Sequence, residues 1–283
     1  MSGIIDQLDS GSSLTCGGWW DAYDPGTVTI RSGTTDRVDA IADKSGDGWD
    51  LINADSTDTD HPQLVPGAIR FTEDGDHHLV NSSFAQDWDS VTVCASFTFS
   101  DDPHHTILMG QGVYGTTPDF MVMLRSDSST PTDMDWQYRV GGGGSRTVNS
   151  NIGGIFTEGV KRAVTFVVTP TATDTVRLRI SSHTSADDVA VTNLYDATVT
   201  DTSSSGGMLG SAIVGNGLWV NAHTTTHGAY TAGIDLHEIA VFDGVCSEDE
   251  IVRIENYLLN HGPSKSPRQS PPGIGLGLKS TRR

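Results

Sequence analysis

Apolar residues alternate with small or polar ones through much of this chain, at the period of half-buried strands. In Val91–Phe99, every second position is Val91, Val93, Ala95, Phe97 or Phe99, which places one set of side chains on one face. Thr175–Ile180 sets Arg177 and Arg179 between Val176, Leu178 and Ile180, predicting a strand with one wet face. Ala163–Thr169 is rich in β-branched residues and stops at Pro170. Shorter runs at Thr106–Gly110 and Phe120–Leu124, the Trp- and Tyr-bearing run Asp135–Val140, and the runs Ala212–Val220 and Ile234–Phe242 complete the set. Strands at this spacing, separated by turn residues, predict an all-β sandwich or barrel.

One segment carries the helical period instead. Ser247 and Glu250 form a capping box, in which the Ser hydroxyl caps the amide three residues on and Glu250 reaches back. Three acids stand in the first turn, where the helix dipole favours them. Ile251, Ile254, Tyr257 and Leu258 make an apolar stripe, and Gly262 then Pro263 end it. The spacing predicts a helix over 247–260, packed on the sandwich edge.

Composition agrees with this picture. Gly numbers 32 of 283 residues and the apolar fraction is 36%, as expected of short strands joined by turns. The formal charge is −19, which argues against nucleic acid as a partner of the main body. The charge is unevenly spread. All 36 acidic residues and 12 of the 17 basic ones precede Pro263, so the body carries −24 and the tail +5. The tail holds Lys265, Arg268, Lys279, Arg282 and Arg283, and the contrast implies that the two parts meet different neighbours. Cys16, Cys94 and Cys246 are too scattered for a disulfide framework or zinc cluster. Met1–Thr15 lacks the basic and apolar regions of a signal peptide, and no apolar run approaches membrane-spanning length.

Several phrases along the chain then resemble a known family. Trp20–Thr27 (WDAYDPGT) resembles an opening "W-x-D-A-x-D-P-x-T". Ile41–Gly48 with Trp49, Asp50 and Leu51 resembles "W-x-D-K-S-G-N-G-x-D-L". Pro62–Val65, Ile69–Phe71 and Asp74–Asp76 with Leu79 resemble "P-x-L-V-x-G-x-x-F-D-G-x-D-D-x-L". His237–Asp243 followed by Ser247–Leu258 resembles a final strand and "S-x-x-E-x-x-x-I-x-x-Y-L" helix. Together they resemble the concanavalin A-like lectin/glucanase superfamily in its LamG-type branch, over about Trp19–His261. The resemblance implies a two-sheet antiparallel jelly-roll sandwich with one short C-terminal helix. The expected organisation is an N-terminal arm at 1–18, a sandwich at 19–262 and a basic Pro/Gly-rich tail at 263–283.

Glucanases of that superfamily carry an E-x-D-x-x-E strand, which converges its acids on one glycosidic bond. This chain has no such triplet. Its nearest approach is Asp235 and Glu238, three apart and so expected on opposite faces of a strand. No nucleophile elbow, H-E-x-x-H, P-loop or dinucleotide fingerprint occurs. The adjacent pairs His77–His78 and His104–His105 read as loop residues. Asp43–Gly48 matches the first half of a calcium-binding loop, but Ala54 stands where the closing Glu belongs. An Asx turn, with Gly46 and Gly48 at positive φ, is the favoured alternative. No catalytic residue, metal ligand set or cofactor is therefore expected. Trp136, Tyr138, Trp219, Asn221 and His223, with His227, are the candidate sugar-binding residues, since aromatic rings stack on sugar C–H faces; buried core Trp is the alternative.

The combined expectation is a non-enzymatic virion protein of a tailed phage or similar virus, assembled in host cytoplasm and exposed on the particle. Its expected partners are other virion proteins, sister subunits and host-surface polysaccharide, with no nucleic acid and no membrane insertion. A secreted or cell-surface lectin is the alternative, and a glycoside hydrolase a further one. In the tail, Gly alternates with Ile274, Leu276 and Leu278. That strand has no partner of its own, and these three are the expected anchoring residues.

Overall fold

The structure, a computed structural model, describes residues 3–262 except 54–60, 73–76, 82, 85–89, 100–104, 114–116, 127–133, 141–145, 149–151, 170–173, 185–189, 202–217 and 221–232. For most of 105–148 and for 218–220 it describes the backbone alone, with the side chain of Trp136 as the exception.

Two antiparallel sheets face each other. Across the first run β15 (Val191–Asp201), β14 (Asp174–His183), β13 (Arg162–Thr169), β8 (Val91–Phe99), β17 (Ile234–Asp243), β6 (Ala68–Phe71) and β5 (Gln63–Val65), with β1 (Thr15–Asp21) pairing with β17. The second runs β12 (Arg146–Val148), β11 (Met134–Val140), β10 (Thr117–Ser126), β9 (His105–Val113), β16 (Leu218–Val220), β7 (Leu79–Asn81), β4 (Leu51–Ile52), β3 (Val38–Ile41) and β2 (Val28–Ile30). β8 and β13 cover their expected ranges almost to the residue, because a clean two-residue period leaves little freedom in where a strand lies.

The main core lies between the sheets. Val91, Val93, Ala95, Phe97 and Phe99 of β8 pack there with Trp20, Phe71, Phe166, Leu178 and Ile239. A second core lies on the other side of the first sheet, under α1 (Glu248–Asn260), the one α-helix among the described residues. The capping box forms as expected: Glu250 N donates to Ser247 Oγ at 3.3 Å and Ser247 N to Glu250 Oε2 at 2.8 Å.

Helix α1 lies on the outer face of the first sheet, over β13, β8 and β14, and not on an edge. The reason is the apolar patch beneath it. Ile251, Ile254, Leu258 and Leu259 bury against Cys94, Ala163, Val167, Ala240 and Phe242, the outward-facing members of β8, β13 and β17. The face of β14 expected to be wet is covered too. Arg179 is buried and donates to Glu255 Oε2 at 2.9 Å; Ser181 Oγ and Thr165 Oγ1 donate to the same carboxylate at 2.7 and 3.0 Å. Burial raises the Glu255 carboxyl above its ordinary range, against the pull of these donors and the Arg179 charge. A buried acid held by three donors fixes the helix register over the sheet.

The first residues are not separate from the body. A 3₁₀ turn at Ile4–Gln7 buries Ile4 in the second core, and Arg253 of α1 donates to Gln7 O at 2.8 Å. Residues 263–283, the expected tail, lie outside the described residues.

Candidate functional site

The polar centre of the molecule forms where β1, β17 and the end of α1 meet, on the outer face of the first sheet. Local irregularity builds it. The pairing of β17 with β8 shifts register between Leu236 and Glu238, a β-bulge at His237. Before the bulge, Asp235 faces outward and pairs with Arg70 at 2.7 and 2.9 Å. After it, Glu238 also faces outward, while Leu236 and Ile239 remain in the inter-sheet core. The two acids therefore share a face, contrary to expectation. A plain two-residue period puts residues three apart on opposite sides; one inserted residue cancels that.

Register then sets Asp21 of β1 directly across from Glu238. Glu238 is fully buried and Asp21 only 2% exposed. Trp19 Nε1 donates to Glu238 Oε1 at 2.6 Å, and His261 Nδ1 lies 2.8 Å from Glu238 Oε2. Lys44 Nζ donates to Asp21 Oδ2 at 2.9 Å and to Asp24 Oδ2 at 3.2 Å. Although burial works against its charge, these acids hold the Lys44 ammonium above its ordinary value. Lys161 Nζ donates to His261 O at 2.8 Å and lies 4.8 Å from the Tyr23 ring centroid. Burial pushes the Lys161 ammonium down to about 8, against the attraction of Glu238 and Asp21. Tyr23 stacks on His237 and meets His261 edge-on. Burial, followed by the Glu238 and Asp21 charges, raises the phenols of Tyr23 and Tyr257.

The family-like phrases assemble this centre. In WDAYDPGT, Asp21 Oδ1 accepts from Tyr23 N at 2.9 Å, and Thr27 Oγ1 donates to Asp24 O at 2.7 Å. In DKSGDG, Asp43 Oδ1 accepts from Trp19 N at 2.9 Å and Ser45 N at 2.8 Å; Oδ2 accepts from Ser45 Oγ at 2.6 Å and Trp49 N at 3.1 Å. Gly46 and Gly48 take φ of +100° and +78°. This is the Asx turn favoured over the calcium loop, with both Asp43 oxygens turned to the chain's own donors. It delivers Lys44 to Asp21.

Asp21, Glu238 and His261 bring one ligand atom each within 4.8 Å of one another. The donor types would suit a divalent cation, but the ammonium groups of Lys44 and Lys161 stand beside the two carboxylates. A carboxylate pair at such separation is also the arrangement used in double-displacement glycoside hydrolysis, at about 5–5.5 Å. Here the pair is closed in by Trp19, Tyr23, Tyr257 and His261. As packed, it ties β1, β17 and α1 together.

No family model matches the sequence, and no curated protein sequence matches it. Solved structures do. An arabinofuranosidase complexed with arabinofuranosyl-α-1,2-xylobiose superposes with a TM-score of 0.53 at 12% identity, over 91% of this chain and 65% of that one. Trypanosoma rangeli sialidase matches at 0.49 and 11% identity, over 86% of this chain and 32% of that one. The enzymatically active domain of bacteriophage CBA120 tailspike protein 2 matches at 0.48 and 13% identity, over 68% and 27%. The chain thus spans about a third of the sialidase and about two thirds of the arabinofuranosidase. What the arabinofuranosidase match establishes is the all-β sandwich fold.

That match corrects one expectation. The chain was expected not to be an enzyme, partly because Asp235 and Glu238 should face apart. The fold is one that a glycosidase carries, and the bulge puts both acids on one face. Absence of E-x-D-x-x-E does not exclude catalysis.

Among the expected sugar-binding residues, Trp136 alone has a described side chain. Trp136 is fully buried in the inter-sheet core, donating from Nε1 to Tyr195 OH at 3.0 Å and meeting Phe166 edge-on. It is a core residue, because strand alternation turns it inward. Tyr138 stands two positions along β11 from Trp136. Trp219 pairs with Val80 and Gly110, in the row that alternates with buried Leu79. Asn221, His223 and His227, like the anchoring residues Ile274, Leu276 and Leu278, lie outside the described residues. His77 and His78 stand in a loop, but buried, with His77 Nδ1 accepting from Thr72 N at 3.0 Å. His104 lies outside the described residues, and His105 opens β9.

Sequence reasoning missed Asp21, Tyr23, Lys44, Lys161 and His261. The signal for three of them was present: Asp21 and Tyr23 sit in WDAYDPGT, and Lys44 in DKSGDG. Lys161 and His261 lie in no phrase, and only the fold brings them there.

Proposed function

We propose that this chain is a carbohydrate-handling β-sandwich carried on a virus particle, of the LamG-type branch of the concanavalin A-like superfamily. The observation that carries the reading is the superposition, over 91% of the chain, on an arabinofuranosidase complexed with arabinofuranosyl-α-1,2-xylobiose. The family-like phrases support it, since they build the centre of the first sheet and so belong to the fold. The acidic body, at −24, suits a partner without phosphate, such as a host-surface polysaccharide. The glycan is held at Trp219 of β16, with Asn221 and His223 following it in sequence. Trp136 has no part in this. The basic tail holds the protein to neighbouring subunits through Ile274, Leu276 and Leu278.

The particle assignment is tested by probing purified virions with an antibody to this chain. Labelling of the particle exterior is expected; virions free of the chain by mass spectrometry overturn the assignment.

A further inference from the structure

We infer that the outer edge of β15 is the docking site for the tail strand Gly273–Leu278 of a second copy of this chain. The inference rests on the tail's proposed role and names the surface it uses.

Three observations lead there. First, β15 is the end strand of its sheet and spans the 11 residues Val191–Asp201. Among the described residues no strand pairs with its outer edge. Natural edges of such length are blunted with Lys, Pro, Gly bulges or cover. VTNLYDATVTD contains no Lys, no Pro and no Gly. Its one register shift against β14 falls at Ile180/Ser181, near its start, and leaves Asp196–Asp201 regular. Leu194 is 42% exposed on it. Such an edge is a template for an added strand.

Second, the chain leaves the described structure away from its own copy of this edge. Gly262 lies against Tyr23, and His261 Nδ1 is 2.8 Å from Glu238 Oε2 of β17, with β8, β13 and β14 standing between β17 and β15. The 21 residues beyond Gly262 begin there.

Third, the sequence of those residues fits a strand supplied to a neighbour. Pro263, Pro267, Pro271 and Pro272 fall within the ten residues before Gly273. A proline-rich spacer of this length, at about 3.1 Å per residue, has a reach of about 30 Å, enough to present a strand to a neighbouring copy. Gly273–Leu278 then offers six residues with Ile274, Leu276 and Leu278 on one side. Three glycines on the other side permit close backbone approach. Lys265, Arg268 and Lys279 flank it, complementary to a body that carries −24. The unpaired amides of β15 and those of the tail strand satisfy each other.

The experiment uses the full-length chain in sedimentation velocity at micromolar concentration. Self-association is expected. Leu194→Lys on the edge and Leu276→Asp on the tail should each weaken it at least tenfold, and added salt should weaken it further. Copies bearing Thr198→Cys are then mixed with copies bearing Leu276→Cys under mild oxidation. A disulfide-linked dimer holding one of each is expected, with neither variant alone giving it. A monomer at all concentrations, association indifferent to both substitutions, or absence of the mixed dimer overturns the inference. None of these outcomes depends on carbohydrate, so failure here leaves the glycan reading to its own test.

Discussion

Acidification to pH 4 should destabilise this protein through His237, before most carboxylates are protonated. His237 lies on the bulge of β17, stacked on Tyr23. Its Nδ1 is 2.8 Å from Gly67 O, which only accepts, so Nδ1 carries the hydrogen. Nε2, 2.8 Å from Thr98 Oγ1, then accepts from that hydroxyl. The neutral ring is satisfied at both nitrogens. Burial, followed by the nearby Lys161 charge, pushes its pKa down to about 4 from the ordinary 6.5. Above pH 6.5 both folded and unfolded chains hold the ring neutral. Between 6.5 and 4 only the unfolded chain takes up the proton, so stability falls as pH falls through this window. The difference corresponds to about 3 kcal/mol, mostly lost by pH 4. The assay is urea denaturation at pH 7, 6, 5 and 4, for the protein and for His237→Gln, whose amide keeps hydrogen-bonding capacity without titrating. The native protein should lose about 3 kcal/mol more than the variant between pH 7 and pH 4. Parallel loss in the two proteins refutes the reasoning.

Glu255→Ala removes the buried carboxylate shared by Thr165, Ser181 and Arg179, and should cost about 3–5 kcal/mol in chemical denaturation. Gly262→Ala should lower the melting temperature, at a cost of about 1–3 kcal/mol, because φ is +127° and a Cβ there would lie 2.5 Å from Tyr23 Cζ. Asp43→Ala leaves the amides of Trp19, Ser45 and Trp49 without their acceptor and should cost about 1–3 kcal/mol; Asp43→Asn should recover part of it.

The strand periods and the capping box made the sandwich and its helix legible because both are local signals. β8 and α1 fall where their patterns place them. β15 was overlooked: Tyr195, Ala197 and Val199 alternate with Asp196, Thr198 and Thr200, but the inserted Leu194 breaks that period at its start and the inward residues of this edge strand are only half-buried. The position of α1 was also hidden, because the outward residues Cys94, Ala163 and Ala240 are too small to advertise an apolar face. The polar centre shows the same division. WDAYDPGT and DKSGDG marked two of its walls, but nothing in LHEIAV announces a bulge at His237, and that bulge decides which acids meet. His261 and Lys161 join only through tertiary packing. Trp136 illustrates the reverse error, an aromatic residue read as a platform that the strand alternation turns into the core.

The most direct test of the carbohydrate reading is a binding titration of the full-length protein against purified host-surface polysaccharides, followed by calorimetry and read in parallel for released reducing ends. Saturable binding to at least one polysaccharide is expected, weakened at least tenfold by Trp219→Ala in a variant that keeps the native melting temperature. Folded protein that binds none of them, or binding that Trp219→Ala leaves unchanged, contradicts the account.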